Sequence, residues 1–258
     1  MLEQITPVLL TYNEEENIGR TLERLNWASD IVVVDSYSTD MTLAIARRNP
    51  QVRLFQRAFD SHAQQWDFAI GNSGIKTEWI LALDADYVLT EEVAAELARL
   101  HPEGSINGYS ADFRYCVLGQ PLRGTLYPPV TVLYRKGKAR YAQDGHTQRV
   151  KVEGRIGKLR SKILHDDRKS LSKWLQAQDR YMQLEAQHIR RAEWSELGMA
   201  DKVRSLPLFA PFLIFAYCYF GKMVLLNGKH GLYYATQRML AESLLALRLI
   251  EAHWRESR

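Results

Sequence analysis

Residues 79–92 read WILALDADYVLTEE, a mostly apolar run that closes on two aspartates, Asp84 and Asp86, only two positions apart. Trp79 to Leu83 have the composition of a buried strand. Strand side chains alternate, so positions i and i+2 leave the same face. Two carboxylates held that way repel each other unless water screens them or a cation sits between them. Hard divalent cations take oxygen ligands, and Mg²⁺ shares its coordination with water and phosphate oxygens. A strand end carrying Asp-x-Asp therefore suits a cation that clamps a diphosphate; an acidic turn facing water is the other reading of the same residues.

Upstream of this stretch, apolar runs alternate with amphipathic ones. ITPVLLTY (5–12), DIVVVDS (30–36) and VRLFQR (52–57) read as strands. NEEENIGRTLERLNW (13–27) reads as a helix with acidic residues in its first turn, where they complement the dipole. STDMTLAIARRN (38–49) reads as a capped helix, HAQQWDFAIGNSG (62–74) as a helix ending in Gly, and TEEVAAELARL (90–100) as a helix with Thr90 at its N-cap. The alternation is that of βαβ units on a mostly parallel sheet flanked by helices, an α/β fold. Such sheets bind ligands beyond the carboxyl ends of their strands. Tyr12, Asn13 and Glu14 follow the first strand, Asp35 and Ser36 the second, and Asp84 and Asp86 close the fourth, so three separate stretches converge on one edge. Asp35 there accepts hydrogen bonds from a base or ribose, or caps the next helix, a role open also to Ser38 and Thr39.

The 258 residues allow one large domain or a domain with an appendage, and 46% apolar with 25% charged residues describes an ordinary globular chain. Two cysteines, Cys116 and Cys218, form no disulfide framework or metal-ligand spacing, which leads us to expect a reducing cytoplasmic setting. The start, MLEQITPVLL, carries no basic n-region, and no secretion signal is expected. The net charge of +4 hides an asymmetry. Residues 1–100 hold 8 Lys/Arg and 16 Asp/Glu, and residues 101–258 hold 26 and 14. The acidic part suits a cation, and the basic part suits phosphates or an anionic membrane surface. No nucleic-acid motif accompanies that charge.

Beyond residue 104 the rhythm becomes extended: GYSADFRYCVLGQPLRG (108–124), TVLYRKGKARYAQ (131–143) and TQRVKVEGRIGKL (147–159). KSLSKWLQAQDRYMQLEAQHIRRAEW (169–194) reads as one long helix, with Trp174, Ala177, Tyr181, Leu184, His188 and Arg191 on a partly apolar face. SLPLFAPFLIFAYCYFG (205–221) has no charge and two prolines, and residues 228–254 read as an amphipathic helix rich in aromatics. This block is expected to lie in a membrane interface, with a buried helical hairpin and a true span as the alternatives. The expected divisions are 1–100, 101–168, and 169–258, the last a C-terminal helical, membrane-associating region.

LLTYNEEENIGRTLERL (9–25), DIVVVDSYSTDMT (30–42) and WILALDAD (79–86), in this order and spacing, resemble the family 2 nucleotide-sugar glycosyltransferases of the GT-A fold. FDSHAQQWDFAI (59–70), DGHTQ (144–148), ILHDDRKSLSKW (163–174) and GKHGLYYATQRMLAESLLALRL (228–249) extend the likeness to the bacterial lipopolysaccharide-core β-1,4-glucosyltransferase-like branch. The resemblance implies that Thr11, Tyr12, Asn13 and Glu14, with Asp35, hold the nucleotide base and ribose. Asp84 would lie near the ribose, and Asp86 would ligate Mg²⁺ or Mn²⁺ on the diphosphate. Gln65 falls in the helix over the sugar-nucleotide pocket, although Trp66 and Asp67 stand where many relatives have a basic residue and Asn. His165 would be a second ligand of the metal or diphosphate, and His146 would contact acceptor or pyrophosphate. Asp144 would be the general base that takes the acceptor proton as the cation stabilises the departing diphosphate.

On the residues alone, Asp144-Gly145 is a turn signal. Asp166 and Asp167 are caps for the helix that follows, and Arg155, Lys158, Arg160 and Lys162 either meet phosphates or form a solvated strand face. The Gln-x-x-Arg-Trp signature of processive synthases is not matched; the nearest stretch is QHIRR (187–191). The expectation is an inverting, metal-dependent, single-addition enzyme at the cytoplasmic face of the inner membrane. It would move a hexose, glucose by the likeness, from a UDP-sugar to a lipid-linked glycan such as lipopolysaccharide core, with no nucleic-acid partner and the oligomeric state open. A noncatalytic sugar-nucleotide-binding or scaffold protein is the alternative from another class. A sugar-1-phosphate nucleotidyltransferase would need a Gly-rich loop where this chain has TYNEEEN.

Overall fold

The computed structural model describes residues 1–144 and 147–256, with side chains described outside 142–149 and before 256. The chain divides into two units: Met1–Gly119 with Tyr127–Arg168, and Gln120–Leu126 with Lys169–Arg258.

The first unit is built on strands β1 (Ile5–Thr11), β2 (Ile31–Asp35), β3 (Val52–Gln56) and β4 (Trp79–Asp84), which are parallel in the spatial order β4-β1-β2-β3. Past the short β5 (Tyr87–Val88) come β6 (Ile106–Ala111), β7 (Phe113–Val117), and, in the second unit, β8 (Gln120–Pro121). Strand β9 (Val130–Arg135) pairs antiparallel with β4 and β6. A hairpin of β10 (Ala139–Asp144) and β11 (Thr147–Val152) follows; β12 (Arg155–Lys158) then joins β6 in parallel and completes the seven-stranded sheet. Finally β13 (Ile163–His165) pairs with β5 and β7 beside the main sheet.

Helices cover both faces of the parallel part, which is why its strands are continuously apolar. Leu9, Val33 and Leu83 face α1 (Ile18–Glu23) and α4 (Glu91–Arg99), packing with Ile18, Leu22, Val93 and Leu97. Val8, Val32 and Ala82 face the other way, onto Trp66 and Ala69 of α3 (His62–Asn72). The Ser61 and Thr90 hydroxyls accept hydrogen bonds from the Gln64 and Val93 N–H groups, capping α3 and α4.

Two helices differ from the expectation. The acidic run Glu14–Glu16 precedes α1 instead of forming its first turn. Asn13 adopts φ 54°, and the Glu14 and Glu15 N–H groups donate to Thr42 Oγ1 (2.7 Å) and Asp40 Oδ2 (3.2 Å). These local partners outcompete a helical turn. The second helix, α2 (Thr42–Ala46), is only five residues long, and it is Asp40 Oδ1 that accepts from the Thr42 N–H (3.0 Å). Ser38 and Thr39 are engaged elsewhere, with Asp35 and Asn13.

The second unit is helical: α5 (Leu171–Arg191), α6 (Met199–Arg204), α7 (Ala210–Ala216), a π-helical turn (Tyr217–Gly221), a 3₁₀ turn (Val224–Asn227) and α8 (Gly228–Glu256). The buried face of α5 is Trp174, Gln178, Met182, Glu185, Ala186 and Ile189, while Tyr181 and Leu184 are 39% and 47% exposed. The buried stripe thus runs one position later than the apolar spacing predicts. Glu185 turns inward to meet Arg204 (2.5 Å), which also binds Glu242 (3.1 Å), so a buried ion cluster sets the rotation of the helix. At the start of α8 a Cβ on Gly231 would lie 1.7 Å from the Val224 carbonyl oxygen, so only glycine permits this approach. The helical segments 210–221 and 224–255 meet at 71°, and no single helix among the described residues is long and apolar enough to cross a membrane.

Candidate active site

Register brings the predicted carboxylates to one edge. Leu10 stands opposite Asp84, Thr11 opposite Asp35, and Asp35 opposite Gln56. The two loops above this edge are laced together. Asn13 Oδ1 accepts from the Thr39 N–H (2.8 Å), and the Asn13 N–H donates to Ser38 Oγ (2.8 Å). Asp35 is wholly buried; its carboxylate accepts from the Ser38 N–H (2.8 Å), the Ser38 hydroxyl and Gln56 Nε2 (3.3 Å). Tyr12 is half exposed at the lip, and Glu14 accepts from Asn17 Nδ2 (2.8 Å). Thr11 Oγ1 is buried with no hydrogen-bond partner among the described residues. Gln65 is also buried, and its amide donates to Ser36 Oγ (2.8 Å) and the Arg57 carbonyl (3.1 Å), so it props the loop after β2 from below. Trp66 stacks on Tyr141, centroids 5.1 Å apart, which accounts for an aromatic at that position as core packing.

In the turn between β4 and β5, past the strand on which the sequence places it, Asp86 Oδ2 lies 3.1 Å from His165 Nε2, with side chains only 13% and 15% exposed. Burial pushes the His165 pKa down, but the charge and hydrogen bond of Asp86, with Asp84 and Asp167 beyond, more than offset it and raise it above the ordinary value. His165 Nδ1 is buried without a hydrogen-bond partner among the described residues. Three tyrosine rings surround the imidazole, Tyr127, Tyr115 and Tyr87, with centroids at 4.5, 5.0 and 5.4 Å. The hydroxyls of Tyr87 and Tyr127 bond to each other, and burial followed by the Asp84 charge keeps both phenols protonated far above their usual range. The sequence reading missed these tyrosines. Tyr87 adjoins the Asp84–Asp86 pair, but Tyr115 and Tyr127 come from strands and loops with no motif of their own.

Asp166 and Asp167 do not cap α5; Ser170 does, accepting from the Lys173 N–H (3.3 Å). Asp166, almost fully buried, instead accepts from Arg20 Nη1 (2.5 Å), Arg168 Nε (3.0 Å) and the Gly119 N–H (3.2 Å). Asp167 accepts from Asn17 Nδ2 (2.9 Å), and Asn17 Oδ1 accepts from the Arg168 N–H (3.0 Å). The Asp166 N–H donates to the Asp86 carbonyl (3.0 Å). The segment that carries His165 is therefore fastened both to the Asp86 turn and to the loop that carries Tyr12, Asn13 and Glu14.

These features stand at the carboxyl ends of a doubly covered parallel sheet, where such folds bind ligands. The chain matches Glycosyl transferase family 2 over residues 7–161. It belongs to that family. It is 25% identical over 268 residues to the lipopolysaccharide core biosynthesis glycosyltransferase LpsC of Rhizobium meliloti, covering 96% of this chain and 93% of that one. An uncharacterized glycosyltransferase of Rickettsia felis is 31% identical over 111 residues, 43% of this chain and 38% of its own length. Among solved structures, S. aureus TarS 1-349 in complex with UDP-GlcNAc superposes with a TM-score of 0.50 at 18% identity, covering 99% of this chain and 93% of that one. The fold is GT-A, and the chain is a glycosyltransferase.

In this glycosyltransferase Asp86 and His165 are hydrogen-bonded to each other at 3.1 Å, and the Asp86 carboxylate is an oxygen donor of the kind a hard divalent cation would take. A second acidic group, Glu15, Glu16 and Asp40, brings carboxylate oxygens within 4.8 Å of one another. Its members bind backbone: Glu15 accepts from the Met41 N–H and Asp40 from the Thr42 N–H, both at 3.0 Å. Asp144 ends β10 opposite Thr147, with its side chain outside the described residues, as is the whole of His146. Of the basic run, Lys158 pairs with Asp112 (2.9 Å) and Arg155 with Glu103 (3.5 Å), which is the solvated-face alternative.

Proposed function

We propose that this glycosyltransferase moves a hexose, glucose, from a UDP-sugar to a lipid-linked glycan acceptor such as lipopolysaccharide core. It would act with inversion, with Mg²⁺ or Mn²⁺, at the cytoplasmic face of the inner membrane. The observation that carries the reading is the meeting of the Thr11, Asp35 and Asp84 strand ends with the Asp86–His165 pair on one edge of the sheet. The LpsC likeness, spread over nearly all of both chains, supports the glycan acceptor, and the UDP-GlcNAc held by TarS is in keeping with a UDP donor.

In this reading Asp35 exchanges its Ser38 hydrogen bonds for the base, with Thr11 and the 12–14 loop around base and ribose, and Asp84 stands near the ribose. Asp86 and His165 hold the cation, which neutralises charge on the departing diphosphate. Asp144 accepts the proton of the acceptor hydroxyl as its oxygen attacks the anomeric carbon from the face opposite the diphosphate, and His146 contacts acceptor or pyrophosphate.

The test is transfer of labelled glucose from UDP-glucose to a lipid-linked core acceptor by wild type and two variants. Asp144→Asn should lower kcat by about 10²–10⁴ while UDP binding persists, and Asp86→Ala should lose metal-dependent binding and turnover together. Full turnover by Asp144→Asn would remove that residue from the base role, and transfer from another nucleotide sugar alone would replace the donor.

A further inference from the structure

Burial in the helical unit is inverted along α7 and the π-helical turn. Ala210, Pro211 and Cys218 are buried on the side turned to α8. Phe209, Phe212, Leu213, Tyr217 and Phe220 recur at three- and four-residue spacing on the other side, each between 51% and 69% exposed. A helix apolar all round belongs in a protein core or in hydrocarbon, and monomeric soluble proteins rarely leave so continuous an apolar face in water.

The charges near this ridge indicate what covers it. Between Asp201 and Glu242 the chain has no acidic residue, while Lys202, Lys222 and Lys229 fall within that interval; Arg204 and Arg238, also there, are engaged with Glu185 and Glu242 and with the Trp174 and Tyr234 rings. Lys222 sits with its ammonium 5.5 Å from the Tyr217 ring centroid, at the border of the apolar stripe. A second copy meeting this face about a two-fold axis would set cations against cations, whereas an anionic lipid surface offers phosphates to the cations and acyl chains to the ridge. No single helix among the described residues is long and apolar enough to span a bilayer. Ala210–Gly221 covers about 18 Å at 1.5 Å per residue, against about 30 Å of hydrocarbon. The chain then bends by 71° into a helix that carries Arg238, Glu242 and Arg248.

We propose that the ridge Phe209–Phe220 inserts as a one-sided wedge into the interfacial layer of an anionic bilayer, with Lys222 and Lys229 at the phosphate level. This deepens the membrane location given under the proposed function, and its test reads lipid binding without turnover, so each can fail alone. Full-length protein is floated with vesicles of phosphatidylethanolamine and phosphatidylglycerol, or of phosphatidylcholine alone. Wild type should float with the anionic vesicles. The double variant Phe212→Glu, Leu213→Glu should lose about 100-fold in partitioning with an unchanged melting curve, since both side chains are already exposed. Lys222→Ala and Lys229→Ala should each lose about fivefold on anionic vesicles and nothing on phosphatidylcholine. Wild type remaining in the lipid-free fraction overturns the proposal. So does a dimer in sedimentation velocity that the double variant splits while vesicle binding is unchanged, because the ridge is then a self-interface.

Discussion

In the sheet unit Val32, Val33 and Val34 are completely buried and carboxylates stand at the strand tips, whereas in the helical unit large aromatic side chains face outward and Arg204, Glu185 and Glu242 are enclosed. The difference follows from what each architecture leaves free. A parallel sheet covered on both faces has only its strand ends to offer a polar ligand, so charge placed there is available for chemistry. The helical unit closes its interior on an ion cluster and leaves its most apolar helix outside. The enclosed charge of the helical unit thus holds helices together, while the carboxylates at the strand tips of the sheet unit lie where such a sheet can offer them to a ligand.

That contrast breaks most sharply at Asp86. Asp86→Ala should cut metal-dependent turnover by about 10³ and leave the far-ultraviolet dichroism intact, since charge at a strand tip serves the ligand; parallel loss of fold and activity would give Asp86 a structural role. Arg204→Met should do the reverse. It leaves Glu185 and Glu242 buried without their cation, at a cost of about 3–5 kcal/mol in chemical denaturation. Replacing all three by apolar residues of similar volume should recover most of that loss.

Asn17→Ala tests the join between the two ends of the candidate site. It removes the bonds to Asp167 and to the Arg168 N–H, and stability should fall by about 1–3 kcal/mol with weaker UDP binding. A fall in stability alone would make the join purely structural.

The smallest effect is expected at Glu96. Burial raises its pKa, but the Arg160 and Ser161 N–H groups, both at 2.8 Å, outweigh burial and hold the carboxyl below its ordinary 4.5. A depressed acid stabilises the fold above its unfolded pKa and loses that contribution as pH falls through the folded value. Glu96→Gln should therefore show a shallower loss of melting temperature below pH 4.5 than wild type, and identical slopes would refute the linkage.

Much of the sheet unit is legible because its signals are local. The run IVVVD is buried on both faces wherever it pairs, Thr90 caps its own helix, and Asp84 closes its strand, although Asp86 falls in the turn just after it and not on the same strand. What escapes the sequence is set at a distance. His165 was a candidate ligand by resemblance, but its approach to Asp86 depends on β13 pairing with β5, a contact 79 positions apart. Asp166 has the composition of a helix cap and the role of a partner to Arg20, 146 residues earlier. In α5 the apolar spacing points to Tyr181 and Leu184, yet the inward turn of Glu185 toward Arg204 rotates the helix by one position.

The central claim, that Asp86 and His165 hold a cation against a nucleoside diphosphate, is tested most directly by calorimetric titration of the protein with UDP, with and without Mn²⁺. The account predicts binding that strengthens at least about tenfold with Mn²⁺ and loses that gain in Asp86→Ala. Equal UDP affinity with and without the metal, or a metal effect that survives Asp86→Ala, would contradict it.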